Sequence, residues 1–107
     1  MKVAKADPVI HGLLLEEQRR SREVHQALLA KVEGLPKGAL NLRRKQVKGN
    51  EYVYHYLIRR EGTRVINQHV SEKNLPELKR LIAERDIYKK EVQVCKKRMA
   101  CLERLLR

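Results

Sequence analysis

The stretch Lys48-Gly49-Asn50-Glu51-Tyr52-Val53-Tyr54-His55-Tyr56-Leu57-Ile58-Arg59-Arg60-Glu61-Gly62-Thr63-Arg64-Val65 decides the fold. Its middle, Tyr52 to Arg59, is dominated by aromatic, β-branched and aliphatic residues, which suit a pleated surface. It is bracketed by Lys48-Gly49-Asn50-Glu51 and Arg60-Glu61-Gly62-Thr63, each with a glycine where a tight hairpin turn needs positive φ. Leu40 to Val47 before it and Arg64 to Val70 after it have strand composition too. Residues 37–70 are therefore expected to form a three-stranded antiparallel β-meander.

Helices are expected on both sides. Asp7 is a good N-cap and Pro8 is preorganised for the first helical position, so Val9 to Glu33 should be helical. Gly34 is placed as a left-handed C′ residue, and Leu35-Pro36 prevents continuation. Residues 1–6 are expected to fray. Downstream, Asn74-Leu75-Pro76-Glu77 reads as a capping box, with Asn74 at the N-cap and Glu77 three residues into the helix. No Gly or Pro follows Pro76, so helix should run to the C-terminus, roughly 50 Å at 1.5 Å per residue. The expected class is α+β in one domain of 107 residues: an N-terminal helix over 8–33, the meander over 37–70, and a long C-terminal coiled-coil helix over 74–107.

The coiled-coil expectation comes from a heptad. With Leu78 at a, the a positions are Leu78, Arg85, Val92, Met99 and Leu106, and the d positions are Leu81, Tyr88, Cys95 and Leu102. All but Arg85 are apolar, as a coiled-coil seam requires. The g residues Glu84, Glu91 and Arg98 precede Lys89, Lys96 and Glu103 at e, each pair opposite in sign. Residues five apart do not meet on one helix, but g and the next e′ meet across a parallel dimer. A parallel homodimer is the favoured expectation, with Arg85 restricting register. The alternatives are an antiparallel hairpin with the Val9–Val32 helix and a lone helix.

Charge narrows the function. Lys and Arg number 25 against 13 Asp and Glu, a formal charge of +12. Such a surface suits an anionic partner. Residues 36–70 hold Lys37, Arg43, Arg44, Lys45, Lys48, Arg59, Arg60 and Arg64 against only Glu51 and Glu61. Arg43, Arg44, Lys45, Lys48, Arg59, Arg60 and Arg64 are the candidate phosphate contacts, the guanidinium fork being suited to that geometry. The two turns lie at opposite ends of the central strand, so their bases cannot form one small patch.

Strand alternation places Tyr52, Tyr54, Tyr56 and Ile58 on one face and Val53, His55, Leu57 and Arg59 on the other. Phe and Trp are absent, and the only other tyrosine is Tyr88. Scarce bulk favours a buried tyrosine row. The alternative is an exposed row, with Tyr54 at its centre, that stacks on unpaired bases.

Catalytic signatures are absent. His11, His25, His55 and His69 are far apart in sequence, although His55 and His69 on neighbouring strands have the means to approach each other. Cys95 and Cys101 lack zinc-ligand spacing, and six positions apart on a helix they do not bridge. There is no Walker motif, dinucleotide fingerprint or nucleophile elbow. No enzyme activity, metal or cofactor is expected. No apolar run reaches bilayer length and the N-terminus lacks a signal-peptide core, so a cytoplasmic setting is expected.

Leu35-Pro36-Lys37-Gly38, Lys48-Gly49-Asn50-Glu51-Tyr52-Val53-Tyr54, Arg59-Arg60-Glu61-Gly62-Thr63-Arg64-Val65 and the charged helix that follows resemble small uncharacterised prokaryotic proteins of the DUF6788 type, over about residues 35–90. A comparable hairpin occurs in some transposase-like proteins. The chain departs from the pattern at Thr63, where a second Gly is expected, and at Val53, where a third consecutive Tyr is expected. The resemblance implies a prokaryotic or mobile-element setting. Combined with the charge, it leaves a nucleic-acid-binding protein, DNA or RNA, as the leading expectation. The alternative is a phage- or mobile-element-encoded inhibitor or interaction module that grips a host nuclease or another acidic protein. An adaptor whose coiled coil is the point, with charge serving solubility, ranks third.

Overall fold

The structure, a computed structural model, describes residues 7–107, so the expectation for residues 1–6 lies outside the described residues. The elements run α1 (Pro8–Glu33), β1 (Ala39–Val47), β2 (Asn50–Glu61), β3 (Arg64–Val70) and α2 (Leu75–Leu106). This is the α+β arrangement expected of the sequence. No helix among the described residues is long and apolar enough to cross a membrane.

The expected single domain divides into two compact units. One holds residues 7–34 together with Ile87–Arg107; the other is Leu35–Asp86.

The second unit contains the sheet, ordered β1-β2-β3 with both pairings antiparallel. At the turns β1 ends and β3 begins as expected, while β2 reaches two residues further into each turn, leaving loops of Lys48-Gly49 and Gly62-Thr63. Lys48 (φ 53) and Gly49 (φ 80) both take positive φ, as a type I′ hairpin requires. In the second turn Gly62 (φ 62) takes positive φ and Thr63 does not, which matches type II′. Gly38 (φ 128) has a separate role. A Cβ there would lie 2.6 Å from the Ile58 carbonyl oxygen and 3.0 Å from Leu57 Cδ1, so only glycine lets β1 start this close to β2.

The buried residues of this unit are Leu57 and Val70. Both lie on one sheet face, shared with Leu40 and Ile66 across the register. The tyrosines occupy the other face, and Tyr52 is 45% exposed. The favoured expectation of a tyrosine core is thus reversed. Physically, Leu57 and Val70 supply compact apolar side chains that pack without a hydroxyl to satisfy.

The first unit is a helical hairpin. Asp7 caps α1 as expected, its Oδ1 accepting from the N–H of Val9 (2.9 Å) and Ile10 (3.3 Å), with Pro8 in the first turn. The other end differs. Gly34 stays right-handed (φ −77), its N–H bonds to the Ala30 carbonyl at 3.1 Å, and Pro36 rather than a left-handed glycine ends the helix.

The start of α2 also differs. The Leu78 N–H bonds to the Asn74 carbonyl (3.1 Å), so Asn74 sits at the N-cap position. Yet the Asn74 N–H bonds to the Ser71 carbonyl, and the Glu77 carboxylate turns to Arg80 (3.1 Å). The reciprocal capping box is not made, because a charge-assisted i,i+3 pair competes for Glu77.

The heptad positions do mark the inward side of α2. Val92, Cys95 and Leu102 are buried, while Leu78, Leu81, Arg85, Tyr88, Met99 and Leu106 are half-buried. The partner of the buried trio lies within the chain. The Cys95 thiol donates to the Ser21 carbonyl (3.2 Å), and the Lys31 ammonium lies 5.3 Å from the Tyr88 ring centre. Contacts that move down α1 from Lys31 to Ser21 move up α2 from Tyr88 to Cys95, so the helices are antiparallel. Ser21, only 3% exposed, is small enough to let the backbones approach. A parallel dimer through this seam would require the hairpin to open. Two residues of the expected interchain charge pairs are also engaged locally, Glu84 with Arg80 and Glu103 with Arg107, each at 3.4 Å.

Candidate nucleic-acid interface

The sheet register sorts the candidate bases onto two faces. Arg43 pairs with Tyr54 and Lys45 with Tyr52, so these four share a face with Tyr56, Ile58 and Arg60 of β2 and with Val65, Asn67 and His69 of β3. Arg44, Arg59 and Arg64 lie on the opposite face, with Leu57 and Val70. Lys48 sits in the first turn, between the two sets.

The acids separate the faces further. Glu51 and Glu61, the only acidic residues of the strands, both fall on the Arg44/Arg59 face. Arg44 approaches Glu51 at 3.8 Å. Arg59 donates to Glu61 (3.1 Å) and to the Gln68 side-chain carbonyl (2.6 Å). These two arginines are partly neutralised within the sheet. On the tyrosine face Arg43, Lys45 and Arg60 have no carboxylate partner among the described residues. Seven candidate bases thus resolve into three that are open on one face, three on a mixed face, and one in a turn.

The aromatic groups converge on one part of the open face. The Arg43 guanidinium lies 4.9 Å from the Tyr56 ring centre, a cation–π distance. His69 meets Tyr56 edge-on at 5.6 Å and Tyr54 at 6.1 Å, tilted by 60°. Tyr52, directly across from Lys45, has no ring contact among the described residues and is the most exposed of the three. The cluster is therefore Arg43, Lys45, Tyr52, Tyr54, Tyr56 and His69. Arg60 shares the face but stands six positions from Tyr54, about 20 Å along the strand. Lys37 reaches that far end and donates to the Arg60 carbonyl at 3.2 Å.

His55 and His69 do not meet, since His55 stands on the Leu57 face and His69 on the tyrosine face. No group of three His, Cys, Asp or Glu among the described residues is arranged to hold a metal ion. Cys95 and Cys101 are both free thiols, the first buried and the second exposed.

A second basic surface escaped the sequence reading. Lys90, Lys97 and Arg104 recur at seven residues on the side of α2 away from Val92, Cys95 and Leu102, and Lys89 and Lys96 flank that row, all exposed. Reading Lys89 and Lys96 as dimer flanks hid this ridge; the seven-residue repeat of paired lysines is the signal that exposes it.

No protein-family model, curated protein or solved structure matches the chain, so its site residues stand on geometry and chemistry alone.

Proposed function

We propose that the chain binds nucleic acid through the tyrosine-bearing face of its sheet. Arg43, Lys45 and Arg60 make the phosphate contacts, and Lys48 extends the track past the first turn. One observation carries the reading: the register sends both strand carboxylates to the opposite face and leaves this one with bases and aromatic rings. Phosphate contacts supply affinity and orientation without reading sequence.

The test is retention of DNA or RNA by the full chain across a salt series. Binding should weaken steeply with salt, and a Lys45→Gln/Arg60→Gln variant should lower the log–log slope by about two, one per lost phosphate contact. Arg44→Gln/Arg59→Gln should change it by less. If the slope responds instead to replacement of Lys89, Lys90, Lys96 and Lys97, the interface is the α2 ridge and the sheet reading fails.

The interaction-module reading has an observation of its own. Leu13, Val24, Ile87 and Val94 of the helical hairpin are each about half exposed or more. Exposed aliphatic groups of this kind favour a protein partner. A stable complex with one protein, without salt-dependent retention of nucleic acid, would select that reading.

A further inference from the structure

We infer that the ligand of this face is single-stranded, with unpaired bases stacking on Tyr52 and Tyr54. The inference rests on the nucleic-acid reading above and narrows it from backbone binding to a class of strand.

Tyr52, Tyr54 and Tyr56 project from alternate positions of β2, about 6.8 Å apart along the strand. The row is graded. Tyr56 has two such neighbours, the Arg43 guanidinium at 4.9 Å and His69 edge-on at 5.6 Å. Tyr54, half-buried, has His69 as its ring neighbour at 6.1 Å, and Tyr52, the exposed one, has no ring or cation–π partner among the described residues. The closed end fixes the row, and the open end offers aromatic surface to something outside the sheet. Directly opposite Tyr54 and Tyr52 stand Arg43 and Lys45.

That pairing of an open ring with a cation one strand away matches the two chemistries of a nucleotide, a flat π surface and a phosphate. A duplex hides its base surfaces in its own stack, so a duplex could use only the cations. An unpaired strand uses both, and base–aromatic stacking is tolerant of sequence because every base has a π face. Arg43 serves twice: it steadies Tyr56 and keeps its charge toward the strand.

The probes are an oligothymidylate of about 12 nucleotides and a duplex of equal length, a span set by the site sizes of single-strand binders. The full chain should bind the single strand more tightly, by about tenfold or more. Because the chain contains no Trp, tyrosine emission is its intrinsic fluorescence, and it should be quenched by the single strand. Tyr52→Ala/Tyr54→Ala should lose about tenfold or more in single-strand affinity while keeping the salt slope. Tyr52→Phe/Tyr54→Phe should keep the affinity, since stacking needs the ring and not the hydroxyl. Lys45→Gln should do the reverse, lowering the slope for both probes.

Equal or tighter binding of the duplex, or an alanine variant that binds the single strand as well as the wild type does, would overturn the inference while leaving backbone binding standing. If neither probe binds and a proline-rich peptide does, both readings fall together. Circular dichroism of each variant guards against unfolding. Should the double variant unfold, Tyr52→Ala alone answers the question, because that ring makes no ring contact whose loss would disturb the sheet.

Discussion

The helices and the sheet handle charge in opposite ways. In α1, Arg19 bonds to Glu16 and to Glu23, and Arg20 approaches Glu17 at 3.9 Å. In α2, Arg80 lies between Glu77 and Glu84, and Arg107 reaches Glu103. These are i,i+3 and i,i+4 pairs, which a helix brings together from nearby sequence. A strand does this only for residues two apart, such as Arg59 and Glu61. Its neighbours in sequence point to opposite faces, so a base and an acid one residue apart are separated by the sheet itself. Glu51 and Glu61 therefore neutralise one face and leave the other to Arg43, Lys45 and Arg60. The lesson is that net charge counts groups, while secondary structure decides which are spare.

The sharpest way to break the sheet side of this contrast is Gly38→Ala. The added methyl meets the Ile58 carbonyl at 2.6 Å in a backbone region that L residues avoid, so a loss of about 2–4 kcal/mol in chemical denaturation is expected. Gly49→Ala is the control. It has the same sign of φ but nothing within 4 Å, and should cost only about 1–2 kcal/mol. Equal losses at the two positions would mean that the close approach of β1 to β2 is not what Gly38 provides.

The hairpin side is tested next by Ser21→Leu. Ser21 is 3% exposed against Cys95, and overpacking there should cost about 1–3 kcal/mol. Maleimide labelling reads the effect directly. In the wild type Cys101 should react at once and buried Cys95 slowly; the variant should speed Cys95 and leave Cys101 unchanged. Fast labelling of both thiols in the wild type would contradict the closed hairpin.

The smallest effect concerns the helix ion pairs. Hydrogen bonding from Arg19 holds the Glu16 carboxyl below the usual range, and Arg80 does the same for Glu77. A lowered folded-state value means the contribution is present above the unfolded value and is lost as pH falls through the folded one. Both groups are exposed, so carbon-detected titration of the two carboxyls is the right readout, and added salt should move both values back toward normal.

Much of this was legible from particular residues. Asp7-Pro8 marked the start of α1 because a cap and a fixed φ act locally. The glycines at 49 and 62 marked both hairpins for the same reason, although β2 ran two residues further toward each turn than composition indicated. The heptad named the inward side of α2 correctly but not what it faces. Periodicity reports that a stripe is buried, and an antiparallel neighbour in the same chain satisfies it as well as a second chain does. The tyrosine row failed in a related way: alternation separated two faces without telling which is covered.

What the sequence determined by itself was local: the order of elements, the turn positions, the alternation of side chains along β2, and the surplus of bases over acids. Each depends on residues within a turn or a strand's length of one another. What only the tertiary structure decided was which face each pattern turns inward. Leu57 and Val70 are buried rather than the tyrosines, Cys95 meets Ser21, and Arg43 stands over Tyr56. Those outcomes depend on contacts between residues far apart in the chain, where packing volume and strand register select one arrangement from several that the same periodicity allows.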